Sequence, residues 1–437
     1  MTPFPQVLPP SAELTPDGHL AIGGCDVVEL ATRFGTPLVI YDEGLLRATA
    51  REFVGTLAAA APDSEVVYAS KAYWGLAMLR LAGEQGLSVD VASGGELHFA
   101  LAAGIAPERI YMHGNNKDDR EVGELLDAGV GTVILDNVSG IASLERAAAA
   151  RGRRQRVLVR VTPGVDADTH SYIRTGHDDS KFGFSIAGGA AAAAVAETRR
   201  APHLELVGLH AHIGSQLLDL SEQPEAARLL ADFAAEVEGA DLRLINMGGG
   251  LGIAYTRDQW PPAIGDFCRQ VTEAVHGEWR RVGLPTPRVL IEPGRAMVGR
   301  AGVTVYRVGA LKEQASWVDA AVDGGMSDLI RPMLYGATYE ALLANRVEDP
   351  ADAPVRIVGK HCESGDVLVQ SARLPRPRSG DLVCIPATGA YGVSMASNYN
   401  GVTRPAVVFV DQGAARVVTR RETYADLIAR DEPVPAP

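Results

Sequence analysis

The sequence predicts an α/β protein built on a (β/α)8 TIM-like barrel, with a second, mostly antiparallel β domain. Two observations carry that expectation. From residue 65 onward, eight short apolar runs rich in β-branched residues alternate with Ala/Leu/Glu/Arg-rich stretches at helical spacing, the rhythm of a parallel barrel of about 250 residues. Beyond residue 300 the texture changes to strand-like runs separated by Gly, Pro and Asp turns, with little helix between them.

In chain order, the segment HLAIGGCDVVELATRFGTPLVIYDE precedes the first barrel strand and is expected to lend a strand to the β domain. The barrel runs are EVVYAS (65–70), LSVDVAS (87–93), RIYMHG (109–114), TVILD (132–136), RVLVRVTP (156–163), LVGLHAHIG (206–214), LRLINMG (242–248) and PRVLIEPG (287–294). Helical stretches such as WGLAMLRLAGEQ, REVGELLDAG and PEAARLLADFAAEVEG lie between them. The β domain opens with GVTVYRVGALKE and runs through GDVLVQSARLP, GDLVCIPATG and RPAVVFVDQGAARVV. These runs place the barrel at 36–299 and the β domain at 1–35 plus 300–437. The tail DEPVPAP is expected to fray.

Composition narrows the function. Hydrophobic residues make up 46% and charged residues 22% of the 437, which suits a folded core and argues against disorder. The formal net charge of −13 argues against a nucleic-acid partner and against docking on an anionic membrane surface. No apolar run reaches the roughly 18 residues of a membrane span, and the N-terminus lacks the pattern of a signal peptide, so the expected compartment is the cytoplasm. Cys25, Cys268, Cys362 and Cys384 lie far apart and suggest neither a disulfide framework nor a structural zinc site.

Barrel sites form at the C-terminal ends of the strands. The residues there are Lys71, Asp90 with Ser93, His113, Asp136, Arg160, His212 with Ser215, Gly248 to Gly250, and Glu292 with Arg295. Lysine occurs at only five positions, 71, 117, 181, 312 and 360. Lys71 follows an apolar strand and is expected in a desolvated pocket, where a neutral amine can condense with an aldehyde. Lys360 shares that strand-end position, whereas Lys117, Lys181 and Lys312 fit solvated loops. The turn N-M-G-G-G-L-G (246–252) could offer backbone N–H groups to a phosphate. It lacks the G-K-[ST] ending of an ATP loop, and Ile253 stands where a dinucleotide fingerprint needs Gly. His210 and His212, two apart on the sixth strand, share one face, a spacing that could chelate zinc as in metal-dependent barrel hydrolases. An imidazole stacked on a planar ring, or a hydrogen-bonded core histidine, are the competing readings. Glu292 is costly to bury without a cation, which a protonated ring nitrogen or Arg295 could supply.

The motifs Y-A-S-K-A around Lys71, D-V-A-S-G-G-E-L (90–97), H-G-N-N-K (113–117), S-K-F-G-F (180–184), G-L-H-A-H-I-G-S-Q (208–216), N-M-G-G-G-L-G, E-P-G-R (292–295), V-D-G-G-M-S-D-L-I-R-P-M-L-Y (322–335), C-E-S-G-D (362–366) and G-A-Y (389–391) together resemble the meso-diaminopimelate decarboxylases. These are pyridoxal-phosphate (PLP) enzymes of the alanine-racemase-like fold, type III. The resemblance runs from about residue 18 to about residue 410 in the family's order. It implies PLP as cofactor, no metal, Lys71 as the Schiff-base lysine and His212 stacked on the ring. Ser215, Gly249, Gly250 and the stretch Glu292, Gly294 and Arg295 then hold the phosphate end, with Glu292 on the pyridine nitrogen. Asp90 joins the cofactor site and Arg160 faces the PLP hydroxyl. Arg295, Arg331 and Tyr335 become substrate contacts, Cys362 the proton donor, Glu363 the contact to the distal ammonium, and Tyr391 a contact to cofactor and substrate. Tyr73-Trp74, Asp118 and Thr338 depart from the family pattern.

The implied reaction is decarboxylation of meso-2,6-diaminopimelate to L-lysine and CO2, by a homodimer with shared active sites acting on a small amino acid. The alternatives are the same fold acting on ornithine, arginine, carboxynorspermidine or a carrier-bound amino acid, and a non-catalytic PLP-binding barrel. Ornithine ends in a cation alone, whereas diaminopimelate ends in a zwitterion and calls for both charges, which Arg331 and Glu363 supply.

Overall fold

The computed structural model describes residues 4–164 and 181–432, so the Ser180 that opens S-K-F-G-F lies outside the described residues. The chain forms two compact units, one of residues 47–252 and 260–297, the other of residues 1–46, 253–259 and 298–437.

The first unit is a closed barrel. Its eight parallel strands are Glu65–Ala69, Ser88–Val91, Ile110–Met112, Thr132–Leu135, Gln155–Thr162, Leu204–His210, Leu244–Asn246 and Arg288–Ile291. The eighth closes on the first through the register Leu290↔Glu65 and Ile291↔Val66. Val, Ile and Leu dominate because such strands are covered on both faces. Val67, Tyr111, Ile134, Leu158, Leu244 and Leu290, from six of the strands, pack together into one buried cluster. The interior is thereby filled, which leaves the rim as the place for a site.

Short caps turn strand ends into helix starts. Ser93 Oγ accepts from Glu96 N (3.2 Å) at the head of Gly94–Ala102, and Asn137 Oδ1 from Gly140 N (2.8 Å) at the head of Val138–Ala150. Asp118, a departure from the family pattern, is the N-cap of Asp119–Ala128: its carboxylate accepts from Glu121 N and the Glu121 side chain returns to Asp118 N. Such caps contribute about 0.5–2 kcal/mol each.

The second unit is a mixed, mostly antiparallel sheet centred on the long strand Gly302–Glu313. That strand pairs antiparallel with Leu38–Asp42, Val318–Val322 and Leu382–Ile385. Leu38–Asp42 also pairs in parallel with Ala406–Asp411. The sequence boundary at residue 36 therefore differs from the observed one, because the hydrogen bonds of Leu38–Asp42 belong to this sheet. Residues 253–259, read as part of the barrel, also pack here: Arg257 forks onto Glu340 (3.0 and 3.1 Å). No helix among the described residues is long and apolar enough to cross a membrane.

Candidate active site

At the C-terminal rim of the barrel, polar side chains from different strands converge on Glu292. His113 Nε2 and Asn246 Nδ2 donate to Glu292 Oε1 at 2.9 and 2.7 Å, and His210 Nε2 to Oε2 at 3.1 Å. Glu292 is 7% exposed and Asn246 is fully buried. Burial alone would raise the Glu292 pKa, but the two imidazoles and their hydrogen bonds outweigh it and hold the carboxyl well below the ordinary range. Asp90 Oδ1 lies 3.9 Å from His113 Nε2. Burial pushes its pKa up to about 6, with Glu292 adding to the rise and His113 and Lys71 opposing it. His113 responds in the other sense: burial disfavours its charge, yet Asp90 and Glu292 raise its pKa.

This arrangement changes two expectations. Glu292 does not pair with Arg295 among the described residues; its partners come from the third, sixth and seventh strands. The two histidines of the sixth strand part in their contacts: His210 ends the strand and bonds Glu292, while His212 lies two residues further on. Among the described residues the trio close enough to hold a metal is His113, His210 and Glu292, and His212 is outside it.

His212 sits instead beside the glycine turn. A Cβ on Gly248, whose φ is +66°, would lie 2.6 Å from His212 Nδ1. The imidazole is kept neutral, first by burial and then by the nearby Lys71 and Arg160 cations. Lys71 follows its strand in the short turn Ser70–Ala72 and is exposed, contrary to the desolvated pocket expected. A side chain in a turn past the strand end projects from the rim instead of packing in the core. Lys71 still acts electrostatically on both Asp90 and His212. Lys360 is exposed as well.

The glycine turn and the E-P-G-R segment press against each other. A Cβ on Gly249 would run into the Glu292 carbonyl oxygen, one on Gly250 would come within 2.7 Å of Gly214 O, and one on Gly294 within 3.1 Å of Ala69. Arg295 Nη2 donates to Ser215 Oγ at 2.9 Å, which joins the sixth and eighth strand ends. At the same rim, Arg160 pairs with Asp136 (3.4 Å) and lies over the Phe182 ring. Lys117, expected in a solvated loop, is half-buried and donates to Gly114 O (2.6 Å) and Ile134 O (2.9 Å). Burial brings its pKa down to about 8.

The second unit holds the other candidates. Arg331 heads the short helix Arg331–Tyr335 and is 6% exposed. Its guanidinium lies 4.5 Å from the Tyr255 ring centroid and 5.7 Å from that of Tyr339, and donates to Tyr339 Oη. Among the described residues no carboxylate forms an ion pair with it. The sequence singled out neither tyrosine, since Tyr255 lies 76 positions upstream of Arg331 in the other nominal domain. Tyr335 is half-buried at the end of the helix. Tyr391 has a φ of +61°, a conformation costly for an aromatic residue and frequent at functional sites. Cys362 is an exposed free thiol and Glu363 is half-buried beside it. Their turn is tied down by Asn400 Oδ1, which accepts from Cys362 N (3.2 Å), and by Asp366, which accepts from Met326 N (2.6 Å) and His361 N (2.9 Å).

Comparison with known proteins agrees with this geometry. Residues 47–299 match the model of the pyridoxal-dependent decarboxylase pyridoxal-binding domain. The diaminopimelate decarboxylase of Bacillus subtilis (strain 168) is 46% identical over 422 residues, covering 95% of this chain and 96% of that protein. The Mycobacterium tuberculosis H37Rv protein of the same name is 44% identical, covering 97% of each. The crystal structure of the M. jannaschii diaminopimelate decarboxylase in complex with L-lysine is similar with a TM-score of 0.90, at 33% identity over 97% of this chain and 98% of that one. The chain belongs to the diaminopimelate decarboxylase family of pyridoxal-dependent decarboxylases.

Proposed function

We propose that the chain decarboxylates meso-2,6-diaminopimelate to L-lysine and CO2. One observation carries the choice of substrate over a diamine monoacid: a buried guanidinium, Arg331, stacked on two aromatic rings and without a carboxylate partner among the described residues. A desolvated cation so placed calls for an anion from the ligand, and ornithine or arginine has no distal carboxylate to give.

The cofactor is PLP, and the barrel rim fits it. The close-packed glycines leave a cradle that a Cβ would fill, and Glu292 keeps an acceptor position beyond its three protein donors. When bound, PLP supplies an electron sink for the pair left on the substrate carbon as CO2 departs. In this reading Lys71 contributes the amine that anchors the cofactor, and Asp90 sets the charge around that amine. His212 covers one face of the ring and Arg160 faces the hydroxyl side. Ser215, Gly249, Gly250, Gly294 and Arg295 hold the phosphate end, and Glu292 keeps the ring nitrogen protonated. Arg331 binds the distal carboxylate and Glu363 the distal ammonium, while Arg295, Tyr335 and Tyr391 complete the substrate contacts. Cys362 donates a proton to the carbon that has lost CO2.

We further propose a homodimer in which the Cys362–Glu363 turn of one chain completes the site containing Lys71 of the other. The four cysteines are free thiols, which suits a reducing compartment, the cytoplasm. A substrate panel tests the function: CO2 release is expected from meso-diaminopimelate and not from ornithine, arginine or carboxynorspermidine at equal concentration. Preferred turnover of any of the latter overturns the assignment.

A further inference from the structure

We propose that His113, His210 and Asn246 are positioning residues that clamp Glu292 so that one remaining carboxylate acceptor faces the cofactor's pyridine nitrogen. A carboxylate offers about four acceptor positions. His113 and Asn246 occupy two on Oε1 and His210 one on Oε2, which leaves one. The amide of Asn246 cannot be turned round without loss, because its Oδ1 accepts from Gly248 N at 2.9 Å. The same residue thus aims Glu292 and fixes the first glycine of the turn. All four residues are more than nine-tenths buried, so the desolvation of the anion is met during folding and not at cofactor binding.

His113, His210 and Glu292 also match the donor set of a metal site, and the proton positions decide between the two. Burial keeps His210 neutral by pulling its pKa down to about 4, so the ring carries one proton. Facing the carboxylate, that proton belongs on Nε2. Nδ1 is then a bare acceptor, which agrees with its having no hydrogen-bond partner among the described residues. A metal on Nε2 would move the proton to Nδ1, where nothing receives it, whereas metal-bound histidines almost always donate their second N–H. His113 completes the clamp between Asp90 and Glu292, whose negative charges favour its protonated form.

The inference rests on the PLP reading and is tested on purified apo-protein by PLP titration, with the visible absorption of bound cofactor and the Tm as further readouts. His113→Leu is expected to weaken PLP binding about ten- to a hundredfold, the value of a hydrogen bond to a charged group, and to shift the visible band. His113→Gln, which restores a donor, is expected to recover most of the affinity. Should His113→Leu fail to fold, Asn246→Ala removes a different donor and is expected to show the same two changes. Wild-type affinity and spectrum in a folded His113→Leu or Asn246→Ala variant overturn the clamp while leaving the PLP reading intact. Failure of the wild-type chain to bind PLP overturns both. Zinc titrated into wild-type apo-protein is expected not to compete with PLP; competition that disappears in His210→Gln overturns the clamp in favour of a metal site.

Discussion

Replacing Arg331 by Met separates binding from stability in a way the surroundings of the guanidinium make quantitative. Met keeps an apolar stem against Tyr255 and Tyr339 and removes the charge. Stripping one partner from a desolvated charge pair costs about 2–5 kcal/mol, which at 1.4 kcal/mol per tenfold is about a 30- to 4000-fold loss in kcat/KM for diaminopimelate. The apo-protein should respond differently. It loses the stacking of the cation on Tyr255 at 4.5 Å, worth about 1–2 kcal/mol when desolvated. It also sheds a buried charge with no carboxylate partner among the described residues, a cost of several kcal/mol. The Tm should therefore hold or rise while activity collapses. Steady-state kinetics on diaminopimelate, inhibition by cadaverine, which keeps the distal ammonium but has no carboxylate, and thermal denaturation read both effects. Equal loss for diaminopimelate turnover and for cadaverine binding, or a marked fall in Tm, would show that Arg331 is structural and refute the reasoning.

Borohydride reduction of the holo-protein should fix the pyridoxyl group on the peptide containing Lys71, and Lys71→Ala should abolish turnover; label on the Lys360 peptide would contradict the assignment. The raised pKa of Asp90, about 6 in the folded chain against about 3.9 in an unfolded one, makes a stabilising contribution that is present below about pH 4 and lost as pH rises through about 6. The Tm advantage of apo Asp90→Asn over wild type should therefore grow between pH 4 and pH 7, and a pH-independent difference would count against the buried setting of Asp90. Mixing inactive Lys71→Ala with impaired Cys362→Ala under subunit exchange should restore about a quarter of wild-type activity, since half the dimers are mixed and one site of each is intact. No recovery despite heterodimers seen by native mass spectrometry would mean that each site is built within one chain.

The strands were legible because a parallel strand covered on both faces must be a short apolar run, and its rim residue is the polar one that ends it. EVVYAS, TVILD and PRVLIEPG each contain a barrel strand within two or three residues of the expected bounds. The helix Ala190–Arg200 is not legible in the sequence, because its Ala-rich stretch carries little amphipathic pattern. The clamp on Glu292 was not legible either. Its donors stand 179, 82 and 46 residues away in the chain, and periodicity says which residues reach the rim, not which of them meet there. Lys117 escaped for a related reason. Its neighbours Asn116 and Asp118 are polar, yet its stem turns inward and its ammonium satisfies two backbone carbonyls. Tyr255 likewise lies in a loop whose nominal domain is the barrel, while its ring covers Arg331.

The most direct measurement is the fate of meso-diaminopimelate incubated in D2O with the PLP-loaded protein, followed by mass spectrometry of the amino acid and quantification of CO2. A carbon that loses CO2 and takes its proton from an exchangeable thiol must gain solvent deuterium. The expected result is L-lysine with a single non-exchangeable deuterium on the carbon that bore the lost carboxyl, formed in equal amount to CO2. Unchanged diaminopimelate, or CO2 released without deuterated lysine, would contradict the account.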